Sequence, residues 1–296
     1  MKIGIYGQYY HDNSGTYIKE LLEILDARGV DFLVKEDYLQ LLEEEISIEK
    51  KYKTFSSYSE LDNSFDLFIT IGGDGTILRA ITYIRDLGIP IFGINTGRLG
   101  FLATVQEYEI KDTIDYILNK EFKVENRTLL ELTTNNDEIL ATEDGLNFAL
   151  NEITISRKNT TSMITISTYL NNEYLTSYWA DGLIISTPTG STGYSLSCGG
   201  PVIMPHAKNL VLTPIAPHNL NARPLVIPDD MEIQLEVSGR EPAFLASLDS
   251  RLITLDHDTI LKIKKSSFKI KLVELYSESF LKTIRKKLLW GEDKRN

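Results

Sequence analysis

Residues 66–94 narrow the fold class more than any other stretch. Asp66–Ile71 (DLFITI) is an apolar run of strand length. Ile77, Ile81 and Ile84 then recur at helical spacing in a segment that stops near Gly88, and Pro90–Ile94 (PIFGI) is a second apolar strand. A strand, a helix and a strand in this spacing form a βαβ unit, with parallel pairing and a right-handed crossover. The same alternation runs upstream. Lys2–Tyr6 is a short strand, and Thr16–Arg28 places Ile18, Leu21, Leu22 and Leu25 on one helical face with Gly29 as its stop. Val30–Val34 is a further strand, and Glu43–Glu45 belongs to solvated helix surface or its flank.

After about residue 123 the pattern changes. Thr128–Thr133, Phe148–Ser156, Met163–Leu170, Leu183–Ser186, Leu225–Ile227, Met231–Val237 and Thr259–Ile263 all read as strands, and helical periodicity is scarce. The expected organisation is an α/β domain with a parallel sheet over 1–123 and a mostly β domain over 124–274. The tail 275–296 returns to helix: Phe280, Leu281, Ile284 and Leu288 share a face across Glu278–Trp290, as in a closing helix docked on one of the domains.

Composition removes several classes of function. The net charge of −11 argues against a phosphate-tracking nucleic-acid surface. No apolar run approaches the ~18 residues of a membrane span. The N-terminus reads as a strand and not as a cleavable leader, and the lone Cys198 fits a reducing cytoplasm.

The chemistry-bearing stretches lie at predicted strand ends, where ligands of open α/β sheets bind. In Thr70–Leu78 (TIGGDGTIL), Gly72, Gly73, Gly75 and Thr76 offer backbone N–H groups to phosphate oxygens at a helix start. Asp74 would be repelled by such a phosphate unless it holds a cation or accepts a proton, and both are roles in phosphoryl transfer. The structural alternative is a helix N-cap. Gly93–Phe101 (GINTGRLGF) supplies Arg98 for an anion and Phe101 for a ring, or else a glycine-rich connection with Phe101 in the core. Asn151-Glu152 interrupts an apolar strand, as a ribose or base contact or as an exposed pair or bulge. Asp181–Pro205 (DGLIISTPTGSTGYSLSCGGPVIMP) is dense in hydroxyls and glycines at a turn, with Ser191 or Thr192 placed to cap a short helix carrying Tyr194 and Ser197. His11, His206, His218 and His257 have no ligand spacing, and Asp256-His257-Asp258 reads as a hairpin turn. Lys262, Lys264, Lys265, Lys269 and Lys271 form a solvated strand face, and Cys198 is a small packed residue.

Taken in order along the chain, GGDGT at 72–76, NTGRLGF at 95–101, NE at 151–152, the stretch 181–201 and PIAPHNLNARPLVIP at 214–228 resemble the NAD kinase family. The resemblance implies transfer of the γ-phosphate of ATP to the 2′-hydroxyl of the adenosine ribose of NAD, giving NADP, with a divalent cation, usually Mg²⁺. It implies a sandwich-like second domain and a C-terminal helix that packs back on the first. Asp74 matches the family's proton acceptor. Gly75, Phe101, Asn151, Glu152 and Asp181 match residues lining the NAD site. Thr189, Thr192, Gly193, Tyr194 and Ser197 fall in the second ligand-binding stretch, Ala216 near the adenine pocket, and Arg79 where a cationic or polar contact is common. The family assembles as dimers or tetramers. Two positions depart from the pattern: Gly193 stands where alanine is usual, and Trp179 where some members carry a basic residue. The competing readings are a lipid or sugar kinase using the same glycine loop, and a dinucleotide-binding regulatory module without catalysis.

Overall fold

The computed structural model describes residues 1–8, 15–48, 50–135, 145–159 and 162–290. His11 lies outside the described residues. The chain divides into two compact units, 1–126 with 270–296, and 127–269.

The first unit opens with β1 (Lys2–Gly7), α1 (Gly15–Ala27), β2 (Asp31–Lys35), α2 (Glu36–Glu45) and β3 (Lys53–Phe55). It continues with β4 (Leu67–Ile71), α3 (Asp74–Ile84), β5 (Ile91–Asn95), β6 (Val105–Gln106) and α4 (Ile110–Leu118). Strands β5, β4, β1, β2 and β3 are neighbours in that order, all parallel, with β6 on the far side of β5. Every residue of β4 and β5 is buried, which explains their unbroken apolar runs.

One helix bears out the expectation for its charged end, and one differs from it. The charged stretch Glu43–Glu45 is the exposed end of a full helix, α2, anchored by buried Tyr38, Leu39 and Leu42. Helix α3 ends at Ile84, short of Gly88, because Arg85 turns to a positive φ of +49° out of helical geometry, its N–H still donating to the Ile81 carbonyl.

The second unit is a sandwich. Its strands are β7 (Phe122–Thr134), β8 (Phe148–Ala149), β9 (Glu152–Arg157), β10 (Ile164–Leu170), β11 (Glu173–Ala180) and β12 (Gly182–Ser186). After the one-turn helix α5 (Tyr194–Ser197) come β13 (Asn209–Ile215), β14 (Leu225–Pro228), β15 (Ile233–Ser238), β16 (Ala243–Leu248), β17 (Arg251–Asp256) and β18 (Ile260–Leu275). One sheet runs β14-β13-β12-β9-β16-β17, and its pairs are antiparallel. The other contains β11, β10, β15 and the first part of β18, also antiparallel. Alternate residues of both sheets, such as Ile153 and Ile155, Leu183 and Ile185, Ile164 and Ile166, Leu235 and Val237, share one core. Asp256-His257-Asp258 is therefore not a hairpin turn: β17 and β18 belong to different sheets, and the turn carries the chain between them.

Helix α6 (Phe280–Leu288) belongs to the first unit. Ser279 caps it by accepting the Lys282 N–H at 3.3 Å, and Thr283 and Ile284 are its buried residues.

Candidate active site

The glycine loop sits at the carboxyl end of β4. Gly72 adopts φ +144°, and a Cβ there would fall 2.2 Å from Thr76 Oγ1, so only glycine makes this turn. Gly73 is the N-cap of α3 and Asp74 its first residue. Asp74 is thus not the helix cap. Its carboxylate reaches to a different loop, where three consecutive backbone N–H groups donate to it: Phe101 to Oδ2 at 2.8 Å, and Leu102 and Ala103 to Oδ1 at 3.0 Å each. Gly100 permits this approach, because a Cβ there would stand 1.9 Å from Asp74 Oδ1.

Asn95 shapes the receiving loop from beneath. It is fully buried at the end of β5; its Nδ2 donates to the carbonyls of Arg98 (3.0 Å) and Ala103 (3.1 Å), and its Oδ1 accepts from Gly97 N–H at 2.8 Å. Gly73 and Gly75 are exposed, and the N–H groups of a helix's first turn have no intrahelical partner. Asp74 is half-buried among them. A carboxylate offers about four lone-pair positions, so three bonds leave one, on Oδ2.

Phe101 is half-buried against α6: the Phe280 ring lies 6.4 Å away and Lys287 Nζ 5.0 Å over its face. Arg79 is exposed and sits about 140° round α3 from Asp74. Arg98 is exposed on the same loop as Phe101.

In the second unit, pairing of β9 with β12 sets Glu152 opposite Ser186 and draws the predicted stretches together. Thr187 N–H donates to the Asn151 carbonyl at 2.9 Å and Thr187 Oγ1 to the Leu150 carbonyl at 2.6 Å. Three buried side-chain atoms, Asn151 Oδ1, Glu152 Oε2 and Thr189 Oγ1, have no hydrogen-bond partner among the described residues. Such atoms cost free energy unless something satisfies them. The backbone N–H of Tyr194 donates to the Glu152 carboxyl. A Cβ on Gly193 would lie 3.1 Å from Glu152 Oε2, so the glycine here relieves crowding on that acid.

Neither Ser191 nor Thr192 caps α5, whose N-cap is Gly193. Ser191 Oγ instead donates to the Pro188 carbonyl at 2.7 Å and accepts from Ile203 N–H at 2.9 Å, and Thr192 Oγ1 donates to the Thr189 carbonyl at 3.1 Å. Ser197 and Tyr194 are exposed on α5.

Asp181 and Ala216 lie at the other end of β12. Asp181 N–H donates to the Ile215 carbonyl, and Ala216, which follows, holds φ +43°. The Asp181 carboxylate is paired with Arg157 at 2.9 Å. Burial, and then the neighbouring Cys198 and Asp181, raise the Tyr194 phenol.

Two contributors were not found in the sequence. Arg157 is one. The other is Asp249, in the tight turn between β16 and β17, whose carboxylate accepts the N–H groups of Leu150, Asn151 and Glu152 at 2.9, 2.8 and 3.2 Å. Burial, and then the neighbouring Asp249 charge, raise Glu152 from an ordinary 4.5 to about 8. Burial also raises Asp249, opposed by its three N–H donors and by Arg251. Strand periodicity could have located β16 and β17, with the Asp249-Ser250 turn between them.

Among the described residues, no group of three or more His, Cys, Asp or Glu side chains is arranged to hold a metal ion. Nor is any described helix long and apolar enough to cross a membrane.

Comparison with known proteins agrees with this division. Residues 3–122 match the ATP-NAD kinase N-terminal domain, and residues 150–275 the ATP-NAD kinase C-terminal domain. The NAD kinase of Christiangramia forsetii is 62% identical and that of Flavobacterium johnsoniae 58% identical, each over the full length of both chains. Among solved structures, a yeast NADH kinase complexed with NADH shares the fold, with a TM-score of 0.83 at 23% identity over 99% of this chain and 88% of that one. An NAD kinase from Archaeoglobus fulgidus in complex with ATP gives a TM-score of 0.74 at 25% identity, over 97% of each chain. The chain belongs to the NAD kinase family, phosphotransferases that use ATP to convert NAD to NADP.

Proposed function

We propose that Asp74 is the general base of this reaction and that Asn151, Glu152 and Thr189 hold the dinucleotide. The observation carrying the first assignment is the clamp of three consecutive amides on the Asp74 carboxylate, beside an open glycine turn. The clamp fixes the acid's direction and leaves Oδ2 with room for one more hydrogen. The ribose 2′-hydroxyl has a pKa far above neutrality, so the base helps as attack proceeds. As the oxygen–phosphorus bond to the γ-phosphate forms, the hydroxyl proton passes to Asp74 and the bond to ADP breaks. Most of the rate enhancement then comes from alignment and charge stabilisation.

The unpaired amides at the start of α3, with Gly72, Gly73, Gly75 and Thr76, suit phosphate oxygens. Arg79, exposed on the same helix, adds a cation for an anionic group. Phe101 offers ring contact next to the amide that orients Asp74. Mg²⁺ would enter as a companion of ATP, held by substrate phosphates and water, since the N–H groups and Arg79 offer a cation no lone pair. No further protein cage is needed.

In the second unit, Asn151 Oδ1, Glu152 Oε2 and Thr189 Oγ1, buried and partnerless among the described residues, suit ribose hydroxyls or base nitrogens that would complete their hydrogen bonding. Thr192, Gly193, Tyr194 and Ser197 flank that patch, and Asp181 and Ala216 extend it along β12. A cytoplasmic homodimer or homotetramer accords with the lone Cys198 and with the family.

The test is NADP formation from NAD and Mg-ATP, repeated with inorganic polyphosphate and with NADH. It is paired with the Asp74→Asn variant. Wild-type turnover in a well-folded Asp74→Asn protein would remove Asp74 as the base.

A further inference from the structure

Asp249 lies nowhere near the motifs in sequence, yet its carboxylate is bonded to the backbone of one of them. It stands in the β16–β17 turn at φ +54°, a left-handed conformation that Asp tolerates better than most residues. The turn is itself tied down: Asp249 N–H donates to the Glu152 carbonyl at 3.0 Å, and Ser247 Oγ donates to the Asp249 carbonyl at 2.7 Å. Arg251, two residues on, donates to the carbonyls of Leu146 and Phe148 and faces the Asp249 charge. The result is a rigid bracket whose acid holds the amides of Leu150, Asn151 and Glu152. The same three residues carry the partnerless Asn151 Oδ1 and Glu152 Oε2.

We propose that Asp249 is a positioning residue for dinucleotide binding: by gripping three successive amides it sets the directions of the Asn151 and Glu152 side chains. This rests on the assignment of Asn151 and Glu152 to the NAD site. The groups facing Glu152 are Asp249 from the turn and Tyr194 from α5, whose N–H donates to it. Arg251 faces Asp249, while Asp181 and Cys198 face the Tyr194 phenol. Burial raises the Glu152 carboxyl, and the neighbouring Asp249 charge raises it further. A neutral Glu152 both donates and accepts, which suits a ligand group with both capacities, such as a ribose hydroxyl or an adenine edge.

The experiment is calorimetric titration of the full chain with NAD, and separately with Mg-ATP, from pH 6 to pH 9, for wild type and Asp249→Asn. The Asn variant keeps the shape but loses the charge and turns an N–H group toward backbone donors. The expected result is NAD affinity weakened by about 10–100-fold, the range lost with a charged hydrogen bond, with Mg-ATP affinity unchanged. The pH midpoint of NAD binding should move to lower pH, because Glu152 without a charged neighbour ionises earlier. A merely structural turn residue would lower thermal stability without moving that midpoint. Wild-type NAD affinity and midpoint in Asp249→Asn overturn the proposal. Should that variant fail to fold, Ser247→Ala loosens the same bracket: selective weakening of NAD binding supports the proposal, and unchanged binding overturns it. Wild-type protein that binds no NAD defeats the underlying site assignment, a failure distinct from that of Asp249.

Discussion

Asp74 and Asp249 are built alike, and the roles proposed for them differ. Each carboxylate takes three consecutive backbone N–H groups from a distant loop, one bond on Oδ2 and two on Oδ1. Asp74 opens an α-helix among exposed glycines and is half-buried. Asp249, also half-buried, stands in a turn with a second carboxyl, Glu152, beside it. The amide clamp therefore does not define a role. In the roles proposed above, surroundings do: exposed glycines at a helix start leave one acid open to a substrate hydroxyl, and a neighbouring carboxyl in a strand turn makes the other a brace.

The strongest way to break this contrast is Asp74→Asn. If Asp74 is the reactive member, turnover falls by about 10²–10⁴-fold, while NAD affinity, measured by calorimetry, changes much less. A large loss of affinity with turnover preserved would make Asp74 a brace like Asp249.

Gly100→Ala sharpens the same point without touching the acid. Its methyl would collide with Asp74 Oδ1 at 1.9 Å, so the carboxylate or the loop must move. Misplacement on the ångström scale is expected to cost roughly 10²-fold in kcat/KM, with the circular dichroism spectrum unchanged.

The brace has a signature in pH. Glu152 sits at about 8 in the folded chain against an ordinary 4.5. Between those values the folded state binds a proton that the unfolded state does not. Stability is therefore full below about 4.5 and falls as pH rises through about 8. Thermal melts of the ligand-free protein from pH 5 to 9 should show this decline, and Glu152→Gln should flatten it. An unchanged slope in the variant would assign the decline to another group.

The smallest effect expected is that of Lys287→Ala, which removes the cation over the Phe101 ring. A loss of about 0.5–1 kcal/mol in stability is expected from an exposed contact of this kind, with kcat little altered. A large drop in kcat would instead give α6 a part in holding the Asp74 clamp.

Much of the frame was readable because its signal is local. The runs at β4 and β5 and the periodicity of α3 announce a buried parallel pair before any contact is known. The glycines at 72–75 likewise marked the turn. What could not be read was partnership across long separations. Asp74 finds its donors 27–29 residues away, and Asp249 grips amides about a hundred residues upstream. No periodicity encodes such a meeting; it follows from how β5 leads into its loop and how β16 pairs with β9. The hydroxyls at 191 and 192 were misread for a related reason. They had two nearby uses, capping α5 or tying their own loop, and tertiary packing against the Ile203 segment decided for Ser191.

Ala216 carries a different lesson, for engineers. Its left-handed backbone costs about 1 kcal/mol that glycine would not incur, so a consensus-minded stabiliser would be tempted to substitute it. What would vanish is a methyl group on an exposed rim beside Asp181. That methyl stands where the proposed dinucleotide site extends, so a thermostabilised catalyst should leave it in place.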